Sequence, residues 1–282
     1  MSRVGIAIVA VLVCTTARAQ TWDFYARGNF QIYENFFQAT DGEPEEDITA
    51  EQVEVGANVK LSKALTGFGN INLLHFNDDT LEDSPGLRVG LRGDMRPHGF
   101  EVYGELLSNR PSFELDEFAG ADIRRLHGDY SYRLLKDWQL SVEGDLEQQE
   151  FDNDTRDNDF VGFGPAVRWR GSRIFSPELG FRMGKREVND DRQTYDQSEW
   201  YLQIRSQPIQ PLYLSVRYRD RKRDYENVDR DDTRKQIVLS ADYTLTEHLV
   251  LNLYGGREDV DSNLEGRDFE SGFWLAGATW RF

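Results

Sequence analysis

Cysteine is all but missing: the one example among 282 residues, Cys14, lies within the first twenty. The rest of the chain therefore has no disulfide framework and no thiol chemistry. Histidine is scarce too; His75, His98, His127 and His248 are the only four, too scattered for a His/Cys metal cluster. Lys and Arg number 33 against 50 Asp and Glu, a formal charge of −17, which disfavours binding to a nucleic-acid backbone. No segment beyond the first twenty residues approaches the ~20 apolar residues of a membrane-spanning helix.

What is there begins with a leader. Arg3 precedes an apolar run from Val4 to Val13, and Ala17-Arg18-Ala19 has the small-x-small pattern of a signal peptidase site. Residues 1–19 are thus read as a signal peptide and 20–282 as the mature protein. Losing Arg3 and Arg18 takes the formal charge from −17 to −19, and Cys14 leaves as well. The mature chain is polar on average, yet 12% of the residues are aromatic. Transmembrane β-barrels share that profile, because only every second residue meets lipid.

Period-two alternation recurs in fourteen segments, at 22–36, 50–62, 66–76, 85–94, 99–108, 121–134, 137–150, 158–170, 177–188, 197–206, 211–224, 232–245, 247–259 and 268–282. Most have the length of a tilted strand crossing ~25 Å of lipid. The connections alternate as well. Those after even-numbered segments are short, such as Leu135-Lys136, whereas those after odd-numbered ones are mostly longer and acidic, such as Phe37 to Thr49 and Asn109 to Gly120. Short turns on one side and longer loops on the other predict an all-β, antiparallel up-and-down transmembrane barrel. Fourteen is the expected strand count, with twelve as the alternative, and both termini are expected on the periplasmic side.

With that topology Trp22, Trp138, Trp169 and Trp280 fall near the turn side, where aromatic residues mark a membrane interface. The last segment, WLAGATWRF, sets Trp274, Ala276, Ala278, Trp280 and Phe282 on one face. An alternating strand that ends on an aromatic residue resembles the signal read by the barrel-assembly machinery of Gram-negative bacteria, with Trp280 and Phe282 as its elements.

Strand faces opposite the apolar ones are charged. Arg217, Arg219, Arg221 and Arg223 share one face, and Arg168, Arg170, Arg182, Arg186, Arg205 and Arg234 lie on neighbouring segments. Glu101, Glu105, Glu143, Asp145 and Glu147 form an acidic set on segments five and seven. These residues are expected to line a pore with a basic wall facing an acidic one, whose transverse field would orient dipolar and anionic solutes. The competing expectation is that the opposite charges pair and fill the barrel.

Length, leader, strand count and an Arg- and acid-lined interior together resemble the monomeric porin family of outer membrane protein G. Asp232-Thr233-Arg234 leading into Leu239 to Thr246 adds a local likeness. The resemblance implies a monomeric, non-selective channel for small hydrophilic solutes. The family's pH-gating histidine pair is not carried over, since His248 stands at the turn side with no partner. Glu117-Phe118-Ala119-Gly120-Ala121-Asp122 is similar to the constriction-loop motif of trimeric general porins, which raises the prospect of an inward-folded loop. Sugar-acid uptake channels share the Arg-lined interior and keep anionic, sugar-type solutes in view.

An enzyme is not expected. His127, Asp129 and Ser131 share a face, but same-face residues two apart on a strand stand ~7 Å apart, too far for direct Ser–His contact. No nucleophile elbow or phosphate-binding glycine loop is present. A passive channel needs no cofactor or metal. Its expected partners are outer-membrane lipid and lipopolysaccharide, the barrel-assembly machinery and small hydrophilic solutes. The rival function is a closed or partner-dependent barrel, such as the exit of an exopolysaccharide secretion system.

Overall fold

Alternation of apolar and polar side chains becomes fourteen strands in the computed structural model, which describes residues 21–34, 47–78, 81–112, 119–264 and 267–282. The strands are β1 (Trp22–Glu34), β2 (Ile48–Lys60), β3 (Leu65–Phe76), β4 (Ser84–Met95), β5 (His98–Ser112), β6 (Ala119–Arg133) and β7 (Trp138–Phe151). They continue with β8 (Asn158–Trp169), β9 (Ser176–Val188), β10 (Tyr195–Ile209), β11 (Leu212–Tyr225), β12 (Asp231–Thr244), β13 (Leu249–Ser262) and β14 (Phe269–Arg281). Each pairs antiparallel with its sequence neighbours, and β14 pairs with β1 from Tyr25↔Arg281 to Glu34↔Gly272. The result is a closed barrel with no free edge, so every strand satisfies its backbone hydrogen bonds within the sheet.

All fourteen expected strands are present, and the twelve-strand alternative is excluded. The largest differences in extent fall at β5 and β10, which run to Ser112 and Ile209 instead of stopping near 108 and 206. Both strands carry a register shift there, between Leu107 and Arg110 and between Ser206 and Ile209, and a shift breaks the period-two signal. The connection after β5 shrinks accordingly to 113–118. Ala119 to Asp122, four of the six residues of the constriction-loop likeness, belong to β6, while Glu117 and Phe118 lie outside the described residues. The leader, Gln20 and residues 35–46 of the first long connection lie outside them too.

Turns at 61–64, 96–97, 134–137, 170–175, 210–211 and 245–248 gather at the end of the barrel that carries the termini. The described residues of the other connections, 77–78 with 81–83, 152–157, 189–194, 226–230 and 263–264 with 267–268, gather at the other, two of these connections containing a short 3₁₀ turn. These are called here the turn end and the loop end.

The outer surface is a continuous apolar belt. Val53, Ile71, Val89, Val142, Val161, Phe163 and Leu179, on β2 to β4 and β7 to β9, are each more than half exposed. An exposed apolar area of that extent is lipid-facing, far beyond what a soluble monomer tolerates. Trp138 pairs directly with Trp169 across β7 and β8, and Trp280 stacks on His248 with ring centroids 6.2 Å apart. With Trp22 at the start of β1 they form the expected ring at the turn end.

Facing inward at the loop end are two buried apolar clusters that composition did not foretell. One joins Leu107, Ala121, Ile123, Phe151 and Val188; the other joins Ile48, Ala50, Leu74 and Phe76, with Tyr33 packed against it. Toward the middle and the turn end the inward residues become polar and charged.

Candidate functional site

The interior wall is the candidate site, and cross-strand register determines who meets whom there. On β11, Arg217, Arg219, Arg221 and Arg223 all point inward, as the alternation implies. Register then sets Glu199 of β10 directly opposite Arg221. Arg221 Nε donates to Glu199 Oε2 at 3.0 Å, and Arg219 lies 3.7 Å from the same carboxylate while also bonding Gln236. Glu199 is buried to 1% exposure, so two guanidiniums share one desolvated carboxylate. Arg223 is equally buried with its guanidinium over the Tyr195 ring at 4.6 Å. Arg234 on β12 reaches Glu258 at 3.3 Å, and Arg205 on β10 bonds Glu178 at 2.5 Å.

The acidic set is compensated in the same way. Glu105 accepts from Arg88 Nε at 2.9 Å and from Arg125 at 3.4 Å. Glu147 accepts from Arg125 Nε at 2.8 Å and from Arg186 at 3.0 Å. Glu143 meets Arg182 at 2.9 Å, and Asp145 bonds both Arg182 and His127 Nδ1, the latter at 2.8 Å. Glu101 stands in register between Arg92 and Asp129.

Arg182 and Arg186 belong to β9 and their acids to β7, so both side chains must cross β8. Arg186 crosses over the Phe160 ring at 5.0 Å, whereas glycine opens the way for Arg182. Gly164 and Gly162 of β8 stand opposite Glu143 and Asp145, and a Cβ on Gly164 would fall 2.7 Å from Arg182 Cγ. The side chain thus lies where any other residue would block it.

The two charged walls expected from the sequence therefore do not face each other across an open lumen. Basic and acidic residues interleave, and most are ion-paired along the wall. The residues missed by the sequence reading are the interleaved partners: Glu178, Glu199 and Glu258 among the arginines, and Arg88 and Arg125 among the acids. Their parity within each strand marks them as inward; only the register between strands shows the pairing. Arg170 departs further, because β8 ends at Trp169 and Arg170 sits exposed in the turn, donating to Gln139 Oε1 at 2.8 Å.

Among the described residues several inward arginines have no carboxylate partner. Arg217 lies over the Tyr201 ring at 3.9 Å, Arg168 Nε donates to Ser176 Oγ at 3.1 Å, and Arg27 Nε donates to Thr279 Oγ1 at 3.0 Å. At the turn-end mouth a cavity of about 450 Å³ is lined by Arg92, Arg133 and Arg170 alongside Glu101, Asp129 and Ser131. The paper triad does not assemble, since His127 is engaged by Asp145 on β7. No cluster able to hold a metal ion occurs among the described residues.

Trp280 is exposed on the outer wall, and the terminal Phe282 is 71% exposed while its backbone N–H donates to Phe24 O at 2.9 Å. The terminal ring thus projects freely beside the seam where β14 meets β1.

Barrel closure, apolar outer belt and charged interior define the class as a fourteen-stranded barrel with the fold of outer-membrane porins. The outer-membrane-expressed OmpT of Vibrio cholerae superimposes with a TM-score of 0.54 at 12% identity, over 95% of this chain and 99% of that one. An anion-selective porin from Comamonas acidovorans gives 0.52 at 9% identity, over 94% and 100% of the two chains. OmpF of Salmonella typhi, in complex with daunomycin, gives 0.51 at 10% identity, over 93% and 97%. No family model matches the sequence, and no curated protein is similar to it. The likeness is one of fold.

Proposed function

We propose that this chain is an outer-membrane porin, a non-enzymatic passive channel through which small hydrophilic solutes diffuse down their gradients, with a preference for anions. The observation that carries the reading is a set of inward arginines held on no carboxylate, Arg217, Arg168 and Arg27, in a wall where most of the other arginines are ion-paired. Paired charges cancel at a distance, so these arginines add positive potential along β8, β11 and β1, whereas Glu101 and Asp129 balance the basic residues at the turn-end mouth. Sugar-type anions fit, since hydroxyls have amide and carboxylate partners along the same wall. The protein works as a monomer in the outer membrane, with both termini and the short turns on the periplasmic side. Its acidic loops meet lipopolysaccharide.

Single-channel recording of refolded protein in a planar bilayer tests this. Discrete conductance steps are expected, with a reversal potential under a salt gradient that reports anion preference. Arg217→Glu should move that potential toward cation preference. Arg217 is the chosen position because its contact is a ring face, whereas Arg219 and Arg221 hold a buried carboxylate whose release would unbalance the fold.

A second reading, a closed or partner-dependent barrel, draws support from the two buried apolar clusters at the loop end. Apolar constrictions stop ions by excluding water. Silence from correctly folded protein would favour that reading.

A further inference from the structure

The register shift in β5 places one more cation inside the barrel than alternation allows. Glu105 and Leu107 face inward, so an unbroken strand would turn residue 110 toward lipid. Between Leu107↔Ile123 and Arg110↔Ala121, however, Ser108 and Asn109 together oppose the single residue Asp122. Asn109 takes a left-handed conformation with φ 49°, and its backbone N–H donates to Asp122 Oδ1 at 3.2 Å. The bulge turns Arg110 inward.

Arg110 arrives there without a counter-ion among the described residues. The nearest inward carboxylate on its own strand, Glu105, is held on both oxygens by Arg88 and Arg125. Arg110 instead lines a cavity of about 310 Å³ with Gln31 and Tyr33 of β1, Gln52 of β2, Leu74 and Phe76 of β3, Pro111 and Leu275. The polar side of that cavity is oriented. Tyr33 O–H donates to Gln31 Oε1, and Gln31 Nε2 donates to Gln52 Oε1 at 3.0 Å. Gln52 Oε1 also accepts from Asn29 at 3.2 Å. Gln31 and Gln52 thus spend their amide oxygens within this chain and leave the Gln52 Nε2 protons as donors in a cavity whose wall also carries Arg110. Leu74, Phe76, Pro111 and Leu275 make the rest of the wall apolar.

We propose that this cavity is a binding subsite for a small monocarboxylate with an apolar, ring-bearing body, its carboxylate on Arg110 and Gln52 and its ring against Leu74 and Phe76. A cavity of this volume suits a small ligand, and one uncompensated guanidinium within an apolar wall selects an anion that carries hydrophobic surface. The proposal deepens the channel reading by naming a solute class, and it rests on that reading only for the route of entry.

Equilibrium binding to the folded, detergent-solubilised barrel tests the site without requiring conduction. Benzoate is the probe, with benzamide as the neutral isostere and acetate as the anion without a ring. Benzoate should bind saturably, and both comparison compounds at least about tenfold more weakly. Arg110→Gln should weaken benzoate at least tenfold; Arg110→Lys should retain part of the affinity; the outward-facing Lys222→Gln should change nothing. Leu275→Trp, which fills the cavity and leaves every charge in place, should abolish binding and serves if Arg110→Gln does not fold. Equal binding of benzoate and benzamide, equal binding of benzoate and acetate, or unchanged affinity in Arg110→Gln or Leu275→Trp overturns the site. Binding with electrical silence upholds the site and removes the channel, whereas conduction without binding does the reverse.

Discussion

Glu199 shows how a single residue organises the interior. Its carboxylate is nearly inaccessible, and Arg219 and Arg221 converge on it from the neighbouring strand. Removing one member of a buried ion pair leaves the others charged and unmatched, which costs far more than the intact pair contributes. Glu199→Gln is therefore expected to destabilise the folded barrel by about 3 kcal/mol, measured by reversible denaturant unfolding in lipid vesicles. The same variant frees positive charge toward the lumen, so surviving channels should become more anion-selective. Unchanged stability would mean that water already solvates this carboxylate. Glu199 was legible as an inward residue from its place in segment 197–206. Its role was not, because sequence separation says nothing of which residue on β11 stands opposite.

At the level of elements, β8 is the informative strand. Its inward face reads Phe160, Gly162, Gly164, Ala166, three small residues after one ring where its neighbours carry Arg and Glu. In isolation that looks like a weak strand; in the barrel it is the passage over which Arg182 of β9 reaches Glu143 of β7. An added side chain at Gly164 would strike the β9 backbone, with Phe181 O and Arg182 Cα both closer than 3 Å to the new Cβ. Gly164→Val should accordingly cost about 2 kcal/mol of stability by overpacking, read from the same unfolding measurement. It should also detach Arg182, so that Arg182→Gln adds little on the Gly164→Val background while costing stability on its own. Full additivity of the two changes would refute the crossing. Strand β5 makes the complementary point: its bulge ends the period-two pattern where Arg110 turns inward.

For the whole molecule, closure is the decisive event. The barrel has no edge only because β14 finds β1, and the seam ends with the Phe282 N–H on Phe24 O beside a free aromatic side chain. That exposed ring makes little contribution to packing, and we propose that its value lies in recognition during assembly. Deleting Phe282 should leave spontaneous refolding into detergent or thin lipid vesicles almost unchanged, while sharply lowering the amount of folded, heat-modifiable barrel in the outer membrane of expressing cells. Equal losses in both settings would assign the residue to seam stability instead.

By itself the sequence determined the strand number, the outward and inward face of almost every strand, the tryptophan ring and the arginine-rich lining. All of these follow from alternation along one strand, a property of local backbone geometry. Only the tertiary structure decided how the charges combine. Pairing depends on register between strands, and two residues on adjacent strands meet or miss according to a stagger that neither strand encodes alone. Hence the expected opposition of a basic and an acidic wall became a mosaic of ion pairs, the glycines of β8 became a passage, and Arg110 passed from the lipid-facing parity to the lumen through a bulge that alternation could not foresee.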